Sequence, residues 1–218
     1  MEFNYIEDGI DAVVIDNFYT EEQLKEIMLE LKWLTKPAIL HGPDKLASAR
    51  DTSTNEIATS KKGIFLEEVY KDWRHSALIS HPMANFSKPE VRNKLLEFNS
   101  LFKILYHCDS RTHLLSYYEN SDYYKPHVDV TVFTILNYFF NEPRKFSGGN
   151  IKLSSETSNK QAEIELKNNR VILLAGCTAH EVTEIKSELN NSLSGDGRYC
   201  NAIFQTLRGD PPQQPKDR

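Results

Sequence analysis

The chain has 218 residues, 39% of them hydrophobic and 26% charged, which suits an ordinary globular protein with one sizeable core. Its formal net charge is -5 and no run of Lys or Arg exceeds two residues, so a nucleic-acid partner, which needs a basic face, is disfavoured. No stretch reaches the length of a membrane span, and Met1-Glu2-Phe3-Asn4-Tyr5 lacks the basic and apolar regions of a signal peptide.

Residues 11–16 read as an early strand. A helix follows, with Thr20 and Gln23 in a capping-box pattern and Leu24, Ile27, Met28, Leu31 and Leu34 at helical spacing; Pro37 ends it. Residues 41–62 are polar and aperiodic, a length of loop that is often functional or mobile. A second helix is predicted from Phe65 to about Leu78. A third is predicted from Ser87, with Pro89 in its first turn, Glu90 completing a capping box, and Leu95, Phe98, Leu101, Phe102 and Leu105 as its apolar side. From residue 112 onward strand-like runs alternate with turns, at 113–119, 123–129, 131–140, 149–154, 161–166, 170–175, 180–185 and 198–206. Helices first and about eight strands after them predict an α+β fold, a double-stranded β-helix or jelly roll braced by N-terminal helices. One domain is expected over 1–218: helical support 1–111, jelly-roll core about 112–207, and an extended tail 208–218.

Three cysteines, Cys108, Cys177 and Cys200, form no CxxC pair, which suits free thiols in a reducing, cytoplasmic setting. His107 and His113 near Cys108 match no zinc module, and a structural role is expected for them.

His127-Val128-Asp129 carries the chemistry. Residues two apart on a strand share a face, so His127 and Asp129 are expected to point together, with Val128 turned into packing. A second imidazole would complete a set of two His and one carboxylate, the facial triad of non-haem Fe(II) oxygenases, which leaves coordination positions open. His41, His75, His81, His107, His113 and His180 are available. His180 is the best placed, because it follows the apolar strand 171–174 and a short turn.

The order of residues then becomes specific. Tyr124-x-x-His127-x-Asp129 is followed by Tyr138-Phe139-Phe140-Asn141, Phe146-x-Gly148-Gly149, His180-Glu181-Val182 and Gly197-Arg198-Tyr199. From about Leu114 to Leu207 the chain resembles the catalytic core of the prolyl 4-hydroxylase-like family of Fe(II)- and 2-oxoglutarate-dependent dioxygenases. The resemblance implies Fe(II) held by His127, Asp129 and His180, with 2-oxoglutarate and dioxygen as cosubstrates and ascorbate as an accessory reductant. It implies that Arg198 pairs with the distal carboxylate of 2-oxoglutarate and that Tyr117 and Tyr138 hydrogen-bond the cosubstrate. The polar segment 186–197 is longer than the family connection, so Arg170 and Lys152 stand as alternative cations, and Phe204 stands where many members have Trp. Asp129 argues against a halogenase, which needs a vacant position in place of the carboxylate.

The implied activity is hydroxylation of an unactivated C–H, first of a prolyl or other peptidyl residue, with the polar segment 41–62 expected as a lid over the substrate groove. A small-molecule hydroxylase acting on a free amino acid or metabolite is the alternative within the same chemistry. A non-catalytic jelly-roll binding protein is the alternative from another class. Demethylation of alkylated nucleotides sits poorly with the acidic charge balance.

Overall fold

The computed structural model of the protein describes residues 1–7, 9–46, 48–51, 54–155, 157–176, 178–188 and 193–207. In chain order the strands are β1 (Glu2–Ile6), β2 (Ala12–Asp16), β3 (Lys62–Phe65), β4 (Ser110–Tyr118), β5 (Tyr124–His127), β6 (Phe133–Phe139), β7 (Ile151–Ser154), β8 (Gln161–Ile164), β9 (Arg170–Ala175), β10 (Ala179–Val182) and β11 (Arg198–Thr206). The helices are α1 (Glu21–Leu34), α2 (Leu66–Val69), α3 (Ala77–Phe86) and α4 (Pro89–Phe98), with 3-10 turns at Pro43–Lys45, Trp73–His75 and Ser100–His107. None of the described helices is long and apolar enough to cross a membrane.

Two antiparallel sheets form the core. The larger runs β1-β2-β9-β6-β11-β4-β3 and the smaller β5-β10-β7-β8. Alternation divides the central strands between two apolar layers. Val13, Ile15, Leu115, Ile135, Val171, Leu173 and Ile203 face the helices. Ala12, Val14, Leu114, Leu136, Ile172, Leu174 and Ala202 face the smaller sheet. The layers are therefore helices, seven strands and four strands, a jelly-roll arrangement.

Local chemistry sets the helical layer. Thr20 and Gln23 form the reciprocal capping box, Glu21 and Glu22 sit at the positive helix start, and α1 buries Ile27, Leu31 and Leu34. Pro82 lies inside α3 and cannot donate to the carbonyl of Leu78, four residues back. Asn201 of β11 fills that vacancy, its side-chain amide donating to Leu78 O at 2.7 Å. The helical layer is thereby pinned to a central strand.

The eight strands expected after residue 112 all form. β1 and β3 were not expected. The helix expected over 65–78 breaks into α2, the turn Trp73–His75 and the start of α3. Asp72 accepts from Arg74 N and Ser76 from Ile79 N, and such local bonds compete with a continuous helix. The capping box expected at Ser87 does not form: Lys88 is the N-cap of α4, and Ser87 closes α3 by donating to Met83 O. α4 stops at Phe98, and Leu101, Phe102 and Leu105 belong to the 3-10 turn that Asn99 caps. The tail 208–218 lies outside the described residues, as does Cys177.

Candidate active site

β5 and β10 are neighbours in the smaller sheet, and His127 and His180 are direct partners across them. Partners across a ladder project to the same side, here toward the larger sheet. The two rings lie 4.3 Å apart between centroids. Asp129 is not on the strand with His127. β5 ends at His127, and Asp129 stands in the connection to β6, so shared strand alternation is not what brings the two together. The carboxylate turns back to reach both imidazoles, 3.9 Å from His127 Nε2 and 3.6 Å from His180 Nε2. Val128, expected in packing, is exposed at the cavity mouth instead, because the strand has ended.

The hydrogen bonds fix which nitrogen of each ring is free. His127 Nδ1 lies 2.9 Å from Lys125 O, and His180 Nδ1 lies 3.0 Å from Thr178 O. A carbonyl only accepts, so each Nδ1 carries the proton and each Nε2 presents a lone pair to the shared space. Burial, and then the neighbouring His180, hold the His127 imidazole below its ordinary value, which keeps it neutral. Thr134 donates to Asp129 Oδ2 at 2.7 Å and orients the carboxylate. Among the described residues this is the one cluster of three or more His, Cys, Asp and Glu side chains whose donor atoms converge, all within 4.8 Å. Two neutral imidazoles and one carboxylate, with their outer atoms tied, can hold a divalent transition metal and leave positions open.

The cluster opens into a cavity of about 550 Å³ between the sheets, lined from β4, β6 and β11 on one side and β5, β7 and β10 on the other. Arg198 lies in it, 1% exposed, and is the largest of the fully buried side chains. Its guanidinium sits 4.7 Å from the ring centres of Tyr118 and of Tyr138, a cation–π arrangement. Arg198 Nε and Nη1 and the Tyr138 hydroxyl are buried with no well-formed hydrogen bond. Buried polar groups are normally paired, so these three orphans are groups that could receive an acidic ligand. Gly149, at φ +74°, makes room for this arginine: a Cβ there would meet Arg198 Cδ at 2.9 Å.

The inserted connection does not displace Arg198. Gly195 N and Gly197 N donate to Tyr117 Oη at 3.0 and 3.1 Å, and Arg198 then pairs with Tyr118 across β11 and β4. The same bonds hold Tyr117 away from the cavity, where the resemblance had implied it would meet the cosubstrate. Its ring packs on Tyr199 on the helical side of the sheet, and Tyr118, one residue on, is the tyrosine that lines the cavity. Tyr138 does line it. The alternative cations are engaged elsewhere. Arg170 holds Asp16 with two bonds of 2.5 and 2.7 Å, and Lys152 pairs with Glu181. Near Cys108, His113 binds Glu67 rather than joining a metal cluster.

Lys61 was not anticipated. Residues 58–60 run beside β5, through Lys125 N to Ala58 O at 2.9 Å and Ser60 N to Tyr123 O at 3.1 Å, and this carries Lys61 into the cavity. It is 6% exposed, and burial lowers its ammonium to about 8. The only sequence signal was its place at the end of the polar segment 41–62, which had been read as a lid; Leu46 and Ala49 from that segment line the same cavity.

A family model described as the 2OG-Fe(II) oxygenase superfamily matches residues 112–200. No curated protein matches the sequence. Among solved structures, a prolyl-4-hydroxylase from Pseudomonas putida superposes with a TM-score of 0.60 at 13% identity, covering 91% of this chain and 93% of that one. A prolyl hydroxylase from Trichoplax adhaerens, in complex with a hypoxia inducible factor peptide fragment, gives 0.59 at 15% identity over 89% and 83%. OsALKBH1 gives 0.52 at 15% identity over 94% and 100%. At these identities the likeness is one of fold.

Proposed function

We propose that this chain, which matches the 2OG-Fe(II) oxygenase model over residues 112–200 and is similar in fold to prolyl 4-hydroxylases, is an Fe(II)- and 2-oxoglutarate-dependent hydroxylase of prolyl or other peptidyl residues. The observation that carries the peptidyl reading is the apolar rim beside the candidate metal ligands. Val130 is 99% exposed and Val128 38%, and both line the cavity mouth on either side of Asp129. Exposed valines at a site entrance suit a chain that lies across it, with one side chain entering.

In this reading His127 Nε2, Asp129 and His180 Nε2 hold Fe(II), while the carbonyls of Lys125 and Thr178 and the Thr134 hydroxyl keep them aimed. Arg198 binds the distal carboxylate of 2-oxoglutarate, and the Tyr138 hydroxyl donates to it. When bound, the metal and its cosubstrates supply the oxidising chemistry that hydroxylates an unactivated C–H. The apolar walls, Leu114, Leu136, Ile151 and Val182, exclude water from it. Residues 1–111 serve as support for the core of about 112–207. Free thiols at Cys108 and Cys200 fit a cytoplasmic setting.

A small-molecule hydroxylase is the second reading, favoured by a cavity large enough to enclose a free amino acid beside the cosubstrate. The test is decarboxylation of labelled 2-oxoglutarate with Fe(II), with and without proline-containing peptides. Peptide-stimulated turnover is expected. Turnover with a free amino acid and with no peptide rejects the peptidyl reading.

A further inference from the structure

We infer that Lys61 is the anchor for a carboxylate on the substrate, and that this enzyme selects substrates bearing an acidic group close to the carbon it oxidises. The inference rests on the hydroxylase reading of the cavity and adds a substrate class to it.

Lys61 Nζ stands 4.6 Å from the Tyr124 ring centre and 5.9 Å from that of Tyr118. Tyr124 stacks on His127 with ring centres 3.6 Å apart, and Tyr118 carries the Arg198 guanidinium. A line of ring contacts therefore joins the candidate metal ligands to the cosubstrate arginine, and Lys61 lies on the metal-ligand side of it. A carbon to be oxidised must sit at the metal, and Lys61, nearer the Tyr124 ring than the Tyr118 ring, is within reach of a group carried by that substrate.

Charge balance agrees. Asp129 and a dianionic 2-oxoglutarate balance Fe(II) and Arg198, which leaves the Lys61 ammonium over. Among the described residues no carboxylate lies within ion-pair distance of it, and Asp129, the carboxylate that acts on it from further off, is already counted against the metal. A buried ammonium without an anion is costly, and two aromatic faces offset only part of that cost. A monoanionic group arriving with the substrate completes the balance. Lys61 also belongs to the segment that carries Leu46 and Ala49 to the cavity wall.

The experiment uses two proline-containing peptides that differ only in an Asp or Asn next to the proline. Their binding to protein loaded with Mn(II) and 2-oxoglutarate is measured by calorimetry, and their turnover with Fe(II) by mass spectrometry. Wild type is expected to prefer the Asp peptide by about tenfold or more, Lys61→Met to lose that preference, and Lys61→Arg to restore most of it. The affinity for 2-oxoglutarate alone, measured on the same three proteins, separates the two carboxylate sources. A wild-type protein that binds both peptides equally, or neither, overturns the inference. So does a Lys61→Met variant that keeps the Asp preference or loses 2-oxoglutarate affinity instead. Acid-selective binding with no peptide hydroxylation rejects the peptidyl activity while leaving Lys61 as the anion anchor.

Discussion

His127 and His180 are partners across the β5–β10 ladder, and each donates Nδ1–H to the carbonyl two residues before it in the chain. Matched bonds on matched strands aim both Nε2 atoms into one space, with the Asp129 carboxylate already there. Replacing either histidine by Ala is expected to cost more than about 100-fold in metal affinity and to abolish Fe(II)-dependent decarboxylation. Metal titration with circular dichroism checks this; a folded His180→Ala protein with wild-type affinity refutes the site.

Thr134 donates to Asp129 Oδ2, the carboxylate oxygen that faces His180 Nε2. Thr134→Val keeps the shape and removes the hydroxyl. Metal affinity is expected to fall by roughly 10-fold, within the range for lost supporting bonds, with stability changing by less than about 1.5 kcal/mol. An unchanged metal affinity would leave the Thr134 bond without a role in positioning.

Arg198 is expected to behave unusually as a buried charge. Two of its nitrogens lack partners, so the folded protein carries its desolvation without a compensating anion. Arg198→Met is expected to leave the melting temperature equal or higher while weakening 2-oxoglutarate binding by about 100-fold. Added 2-oxoglutarate should raise the wild-type melting temperature and have little effect on the variant. Equal ligand shifts in the two proteins would remove Arg198 from the cosubstrate site.

Gly149 tests the space behind that arginine. A Cβ there would lie 2.5 Å from Ile185 Cδ1 and 2.9 Å from Arg198 Cδ, on a backbone with φ +74°. Gly149→Ala is expected to lose about 1–3 kcal/mol of stability and to weaken 2-oxoglutarate binding in parallel. Urea denaturation and ligand titration report the two effects separately.

Asp16 and Arg170 set a pH dependence far from the site. The bonds from Arg170 hold the Asp16 carboxyl below the usual carboxylate range. A lowered folded value contributes stability that is complete above the unfolded value of about 3.9 and is lost as pH falls through the folded one. Asp16→Asn is therefore expected to cost about 1–2 kcal/mol at neutral pH and progressively less below about pH 4. A gap in urea midpoint that stays constant between these pH values would refute the assignment.

Much of the site was legible because its information is local. The triplet 127–129, the His after the apolar strand 170–175, and the alternation that turns Arg198, Cys200, Ala202 and Phe204 to one side are all short-range patterns. The capping box at Thr20 was equally visible. The helix breaks were not. Asp72, Ser76 and Ser87 divide an apolar run by bonds to neighbouring backbone, and apolar periodicity does not sense them.

The sequence by itself determined the strands after residue 112 and the capped helix α1, and it singled out the two candidate histidines, the carboxylate and the arginine that follows them. Only the tertiary structure decided which groups meet. Asp129 reaches the histidines because the chain turns after β5, not because of strand alternation. Tyr118 rather than Tyr117 faces the cavity because Arg198 pairs with Tyr118 across the ladder and partners share a side. Lys61 enters because residues 58–60 lie along β5, a contact between segments some sixty residues apart. The physical reason is common to all three. Periodicity along one strand sets faces relative to that strand, whereas register between distant strands sets which faces enclose the same space.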